Sequence, residues 1–414
     1  MTTHNFHLVP APPDEVTAPL RVTRLPAFVG LACDPTPRLD RLGIAVVGTG
    51  SVGRRMALHL ARLQPRALWL VDHGRYKPES LLTQPITPDE VGLPKATATA
   101  RVCSRLSPRT RVYAFDGRLS ALDETALADA DLLLGATDNL HAEVTLGELA
   151  RRLGRPLLLC SVHGETLTAQ CRVFGNQGDG PCPACAFGQV DWSRLNAEVR
   201  YSCEGFAAGA PGDPAATVTT RPTASLAALC SLAADLGVLQ TVRHVLGLGR
   251  PVTDTQVEHN AYTHRTVVSP LKSNDACPCE HRRWSLASLP RPLADCSMAD
   301  LLAEANFGLE DPRHVTVAVA GHAWVSQGSC PGCGHHGRVD RFLPDGSAGP
   351  CPACGTGMAP HPLYRYPAVP LGVLHGRLAS SLARLGADTA GWAVLRGQDR
   401  GVLLRPSPTE GSDS

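Results

Sequence analysis

Two kinds of residue in this chain have types and spacings that could do chemistry. The first is a glycine triad, Gly48-x-Gly50-x-x-Gly53, within "IAVVGTGSVGRRMALHLARL" at residues 44–63. Glycines at that spacing let the backbone approach a phosphate, and the helix that follows presents about half a positive charge at its N-terminus. Asp72 ends the next apolar run, about 20 residues on, where a carboxylate reaches ribose hydroxyls. NAD, FAD and ATP satisfy these features equally. The triad therefore predicts a nucleotide and leaves open whether the reaction is at a nicotinamide ring or at a phosphate.

The second kind is cysteine. Of 15 cysteines, eight fall in close pairs: Cys182/Cys185, Cys277/Cys279, Cys330/Cys333 and Cys351/Cys354. The N-terminus lacks the basic and apolar regions of a secretion signal, and no apolar run approaches the roughly 20 residues of a spanning helix. A cytoplasmic location follows as the expectation, and in a reducing compartment such pairs read as zinc ligands rather than disulfides. Cys330-x-x-Cys333 and Cys351-x-x-Cys354, with residues 334–350 between them, form a zinc-ribbon pattern (330–354) in which four thiolates complete a tetrahedron. His335 and His336 are its runner-up ligands. The other two pairs are far apart, and the second is CxC, so spacing alone does not join them.

Composition narrows the class of partner. Formal net charge is +1 and no block of like charges occurs, which argues against a general nucleic-acid or membrane partner. The chain's 414 residues leave room for two or three domains.

The elements that must position these residues alternate. "GIAVVG", "ALWLVD", "RVYAF", "DLLLGAT" and "PLLLCSV" read as strands with helical runs between them; in the first helix Val52, Met56, Leu60 and Leu63 share one face. Such βα units predict a parallel sheet covered by helices, with ligands at the strands' carboxyl ends. The glycine turn, Asp72 and Asp138 all follow strands and could meet there. "TLTAQCRVFG" reads as a further strand, "TASLAALCSLAADLGVLQTVRHVLG" as a long helix, and "TDTQVEHNAY" and "HRTVVS" as two more strands. The expected domains are an N-terminal arm (1–40) that packs on a partner surface, an α/β domain (41–287), a smaller C-terminal domain (288–405) and a disordered tail (406–414). Near the end, "LASSLARLGADTAGWAVLRGQDRGVLLRP" reads as a helix and two strands.

The stretch "SLLTQPITPDEVGLPKATATA" after Asp72, "GATDN" after the fourth strand, and the CxxC…CxC pairs resemble, in order and spacing, the ubiquitin-activating E1 superfamily with its bacterial ThiF, MoeB and HesA-like members. The likeness covers roughly residues 41–285. It implies a Rossmann-like domain that binds ATP and Mg²⁺ and adenylates the C-terminal glycine of a ubiquitin-like β-grasp protein. By position, Gly48, Gly50 and Gly53 match the nucleotide turn, Asp72 the ribose carboxylate, Lys95 the phosphate-facing lysine, Asp138 the magnesium-binding aspartate, and Gln84 the retained glutamine of an "NLxRQ" stretch. Ser80 and Thr83 stand where that stretch has asparagine and arginine. Gly74 stands where a second acidic residue is usual, and the "RYxRQ" arm is absent. Arg38, Arg41, Arg54, Arg55 and Arg75 are candidates to replace the lost phosphate-facing arginine.

The resemblance also implies that Cys203, in a crossover loop at about 186–221, is the nucleophile forming a thioester, with Arg200 nearby to favour the thiolate. It joins Cys182, Cys185, Cys277 and Cys279 in a second structural zinc site. It further implies a homodimer and an E2-like partner. Rival readings are a sulfur-carrier adenylyltransferase of cofactor biosynthesis, a catalytically silent scaffold and a nicotinamide-dependent oxidoreductase.

Overall fold

Every strand read from the first half of the sequence enters one sheet. The structure is a computed structural model and describes residues 6–10, 36–122, 127–176, 180–196, 226–249, 253–279, 281, 284–307, 314–320, 322–344, 348–361, 364–366, 368–374, 376–397 and 400–406. Two compact units divide it, residues 4–281 and 282–414.

In chain order the first unit contains β1 (His7–Val9), α1 (Thr36–Asp40), β2 (Gly43–Val47), α2 (Gly53–Arg62), β3 (Ala67–Val71), α3 (Ser80–Thr83), α4 (Lys95–Leu106), β4 (Arg111–Phe115), β5 (Leu132–Gly135), α5 (Leu140–Leu153), β6 (Leu157–His163), β7 (Thr168–Phe174), α6 (Gln189–Asn196), α7 (Ala227–Leu246), β8 (Thr255–Asn260) and β9 (Arg265–Pro270). Its described strands run in the order β1-β4-β3-β2-β5-β6-β7-β8-β9. From β4 to β6 they are parallel.

Alternate residues of these strands face opposite ways, and both faces are apolar. Ile44, Val46, Leu68, Leu70, Leu132 and Leu134 pack with Met56 and Leu60 of α2, Ala96 and Ala100 of α4, and Leu229 and Ala233 of α7. Ala45, Val47, Trp69, Val71 and Leu133 pack on the other side with Leu146, Leu149 and Ala150 of α5.

The strands of the βα units are parallel as expected, and the sheet as a whole is mixed. β7, β8 and β9 are antiparallel to their neighbours. Only residues 164–167 join β6 to β7 and only 261–264 join β8 to β9, too few for the crossover that a parallel pair requires. The N-terminal arm is also partly claimed by its own sheet, because β1 pairs antiparallel with β4. No helix among the described residues is long and apolar enough to cross a membrane.

The second unit contains β10 (Trp284–Leu289), α8 (Met298–Glu304), β11 (Thr316–Val319), β12 (His322–Ser329), β13 (His336–Pro344), β14 (Ala359–Pro360), β15 (Arg365–Tyr366), β16 (Ala368–Pro370), β17 (Ala393–Arg396) and β18 (Gly401–Pro406). Its sheet runs β10-β18-β17-β11-β12-β13, with β14 and β15 on β12 and β16 on β11. β10 pairs with the distant β18 in the same compact unit. Trp324, Phe342, Leu301, Leu382 and Leu404 share its core.

The helix expected before β17 is replaced by turns. Backbone amides of Leu382 and Ala383 donate to the carbonyls of Cys296 and Ala294, both at 2.9 Å, which takes them out of an i→i−4 ladder.

Candidate functional site

β2 and β5 are parallel neighbours at the point where the strand order reverses, and Val47 pairs with Gly135 at their carboxyl ends. Ligands of such sheets bind there. Gly48 and Ala136 leave the sheet side by side. The Gly48 amide donates to the Val71 carbonyl at 2.8 Å, and the Ala136 amide to that of Val47 at 2.9 Å.

The three glycines of the turn have different duties. Gly48 has a φ of +87°, and a Cβ there would lie 2.6 Å from the Ala136 carbonyl oxygen. A Cβ on Gly53 would lie 1.7 Å from the Gly48 carbonyl oxygen. These two glycines let the turn close on itself. Gly50 has nothing within 4 Å of where its Cβ would be, so its face of the turn is open.

Asp72 follows β3 and braces the same turn. Its Oδ2 accepts from the Thr49 amide at 2.7 Å and from Thr49 Oγ1 at 3.2 Å, and its Oδ1 accepts from the Gly74 amide at 2.7 Å. The carboxylate thereby ties the end of β3 to the glycine loop. Tyr76 supports the loop from beneath: its hydroxyl donates to the Thr49 carbonyl at 3.2 Å. Burial pushes that hydroxyl above the ordinary phenol range, so it keeps its proton as a donor. Arg54 Nη1 donates to it at 3.0 Å, and Arg54 Nη2 pairs with Glu90 Oε1 at 2.6 Å in a nearly closed environment.

Lys95 opens α4 and is 9% exposed; its amide donates to the Gly74 carbonyl at 2.9 Å, and its ammonium stands 5.9 Å from the centre of the Tyr76 ring. Asp138 is exposed just beyond β5. Asn139, and not Asp138, caps α5, its Oδ1 accepting from the Ala142 amide at 2.7 Å. Gln84 is buried at the end of α3, where its amide donates to the Ser80 carbonyl at 2.8 Å. Glycine turn, Asp72, Lys95 and Asp138 thus belong to segments gathered at the carboxyl ends of β2, β3 and β5.

Four of the candidate arginines divide by the work they already do. Arg54 is committed to Tyr76 and Glu90, Arg75 donates to the Gly92 carbonyl at 2.9 Å, and Arg38 to that of Leu246 at 3.3 Å. Arg55 lies at the turn itself. It donates to the Ser51 carbonyl and, at 2.9 Å, to the carbonyl of Thr83. Ser51 Oγ donates in turn to Thr83 Oγ1 at 3.2 Å. Burial holds the Arg55 guanidinium below its ordinary value, with Cys230 and Asp235 opposing that shift. Arg55 therefore brings a guanidinium to the backbone of Thr83, beside the position where an arginine is missing.

A sequence model described as the ThiF family matches residues 26–279. The chain belongs to the ThiF family. Among its relatives, the "Sulfur carrier protein adenylyltransferase" of Thermus thermophilus is 24% identical over 247 residues, covering 58% of this chain and 83% of the relative. "Ubiquitin-like modifier-activating enzyme 5" of Drosophila virilis is 25% identical over 293 residues, covering 66% of this chain and 68% of the relative. "Adenylyltransferase and sulfurtransferase MOCS3" of Arabidopsis thaliana is 27% identical over 177 residues, covering 42% and 37%.

Two cysteine clusters accompany the nucleotide turn in this ThiF-family chain. In the second unit the donor atoms of Cys330, Cys333, Cys351 and Cys354 all lie within 4.8 Å of one another. Its two halves are built alike. The Gly334 amide donates to the Cys330 carbonyl at 3.0 Å, and the Gly355 amide to that of Cys351 at 2.9 Å. Both glycines are left-handed, at φ +71° and +75°, which lets each knuckle fold back on its first cysteine. Cys330 and Cys354 Sγ are 3.5 Å apart, and Cys333 and Cys351 Sγ 3.7 Å. Ligands about 2.3 Å from one tetrahedral zinc are about 3.8 Å apart, so the four sulfurs suit that ion.

The first unit's cluster differs from the expected ligand set. Donor atoms within 4.8 Å of one another belong to Cys182, Cys185, Cys277 and His281, not to Cys279. Cys279 lies beside Cys182 against α5, with Val144, Gly147 and Glu148. The family resemblance points to the second cysteine of "CPCEH", whereas the histidine of that stretch lies four residues after Cys277. That spacing was the available signal.

Long-range contacts hold this cluster. Arg151, fully buried in α5, donates to the carbonyls of Gly180 and Pro181 at 2.6 and 2.8 Å. A Cβ on Gly147 would stand 2.6 Å from Pro183 Cδ, so α5 presses directly on the knuckle. Cys203 and Arg200 lie outside the described residues.

Proposed function

We propose that the protein uses ATP to adenylate the C-terminal carboxylate of a ubiquitin-like or sulfur-carrier protein of β-grasp type. What supports this reading is that the segments carrying the glycine turn, Lys95 and Asp138 lie at one end of the sheet in a chain of the ThiF family. The printed names of two relatives, a sulfur carrier protein adenylyltransferase and a ubiquitin-like modifier-activating enzyme, support it.

In this proposal a carboxylate oxygen of the carrier attacks the α-phosphorus of ATP. The bond to the β-phosphate oxygen breaks, and pyrophosphate leaves with the electron pair. Catalysis of such a transfer is mostly positioning and neutralisation of charge. Mg²⁺ would supply Lewis-acid neutralisation when bound, and Asp138 fits it, since that ion is held by one or two carboxylates plus phosphate oxygens. Lys95 offsets phosphate charge, the open face of Gly50 admits the phosphates, and Arg55 adds a second cation at the turn. The two cysteine clusters hold structural Zn²⁺, and two copies of the chain form the working dimer.

Cys203 then attacks the acyl carbon, expelling AMP and forming a thioester that an E2-like partner receives. Where the carrier serves sulfur transfer instead, the first step is the same and the sulfur donor replaces that partner.

ATP–pyrophosphate exchange in the presence of the cognate carrier tests the first step. Wild type exchanges, and Lys95→Ala and Asp138→Asn lose about 10²-fold or more. Tight NAD binding with no effect of Mg-ATP on Tm would overturn the reading in favour of an oxidoreductase. On non-reducing gels, a reducible carrier adduct present in wild type and lost in Cys203→Ala supports the second step. Adenylation without that adduct limits the enzyme to the first.

A further inference from the structure

The first unit's cysteine cluster holds five sulfur and nitrogen donors around a site for four. Cys182 and Cys277 Sγ are 3.7 Å apart, Cys185 and Cys182 Sγ 3.8 Å, and Cys185 Sγ and His281 Nε2 3.4 Å. A zinc ion with Zn–S of about 2.3 Å and Zn–N of about 2.05 Å would set tetrahedral edges of about 3.8 Å between sulfurs and about 3.6 Å between sulfur and nitrogen. The observed edges match a three-thiolate, one-imidazole shell.

We infer that this site binds its metal through Cys182, Cys185, Cys277 and His281, and that Cys279 is a thiol outside the coordination shell. The inference rests on the zinc reading of the cluster and not on the adenylation chemistry.

Charge favours the same division. Four thiolates around Zn²⁺ leave a net charge of about −2, whereas three thiolates and a neutral imidazole leave about −1. The recess against α5 that Cys279 and Cys182 line is walled by Val144, Gly147 and Pro183, with Glu148 at 3.4 Å from Arg152 beside it. A second unit of negative charge in such an apolar recess would be desolvated. Asn274 links the two segments that supply the ligands: its carbonyl accepts from the Cys277 amide at 2.9 Å, and its Nδ2 donates to the Cys185 carbonyl at 3.5 Å. That linkage fixes Cys277 at the knuckle and leaves the following residues to bring His281 round.

Two measurements on the full chain test this. In the zinc-loaded wild type, iodoacetamide followed by peptide mapping labels Cys279 while Cys182, Cys185 and Cys277 are protected. Metal analysis and Co²⁺ substitution of variants provide the second. Cys279→Ala retains the wild-type metal stoichiometry and Co²⁺ spectrum. His281→Ala weakens the binding of one equivalent by about 10-fold or more, or converts its spectrum from three thiolates to four as Cys279 moves in. Protection of Cys279 with free alkylation of the other three, or loss of one metal equivalent in Cys279→Ala with His281→Ala unchanged, would overturn the inference. A wild type that takes up no metal at this cluster would overturn it as well, leaving the adenylation assay untouched.

Discussion

The two cysteine clusters differ in how far along the chain their parts come from. Cys330 to Cys354 span 25 consecutive positions, and each knuckle closes through a hydrogen bond within its own C-x-x-C-G segment. The cluster of the first unit joins residues 182–185 to 277–281 across α6, α7 and two strands, and its knuckle is braced by Arg151 and Gly147 of α5. Local closure carries its own instructions in the spacing. Long-range closure takes them from the helix and sheet that bring the ends together, so the spacing of His281 from Cys277 does not by itself choose between His281 and Cys279 as fourth ligand.

The largest effect expected from this contrast is on the local cluster. Among the described residues around it, Val325, Ala348 and Met358 with partly buried Val339 and Leu343 supply the apolar packing. Structural zinc contributes about 10–16 kcal/mol in such small domains. Cys351→Ser or chelation should therefore abolish amide protection at the two knuckles, residues 330–335 and 351–356, in hydrogen exchange, while the core around Trp324, Phe342 and Leu404 keeps its own. Cys185→Ser should leave the strands of the first unit protected, because two apolar layers hold that sheet. Equal collapse of both units would break the comparison.

Next in size is the buried pair beneath the turn. Arg54→Met leaves Glu90 without its partner and removes a donor from Tyr76, a loss of about 3–5 kcal/mol that denaturant melting would read. A cost below about 1 kcal/mol would mean that the pair is solvated.

The glycines give the smallest and sharpest pair of tests. Gly48→Ala meets both a left-handed backbone and the Ala136 carbonyl, and should cost about 1–3 kcal/mol of stability. Gly50→Ala meets nothing and should leave Tm within about 2 °C of wild type. If phosphates lie against that face, Gly50→Ala nonetheless weakens ATP binding by calorimetry. Unchanged affinity would remove the cradle from the proposal.

Elements were more legible than their pairing. Runs such as "ALWLVD" and "PLLLCSV" are apolar on both faces and became central strands, because burial on both sides leaves no polar alternation to misread. The antiparallel half was written in connection lengths, which the βα rhythm of the first strands obscured. The stretch after Leu378 has helical composition, yet the amides of Leu382 and Ala383 go to the carbonyls of Cys296 and Ala294, a tertiary pairing that no local pattern encodes. In the site, residue types at the turn were readable by motif. What each does was not: Asp72 spends both oxygens on the loop, and Arg55 stands at Thr83 although it is far from it in sequence.

The contact between Gly53 and the Gly48 carbonyl has a consequence for energetics. Because the turn is locked by its own backbone, by Asp72 and by Tyr76, an arriving nucleotide finds a rigid seat and has little main chain to freeze. Affinity there should depend on charge and fit more than on ordering, and should fall steeply with added salt.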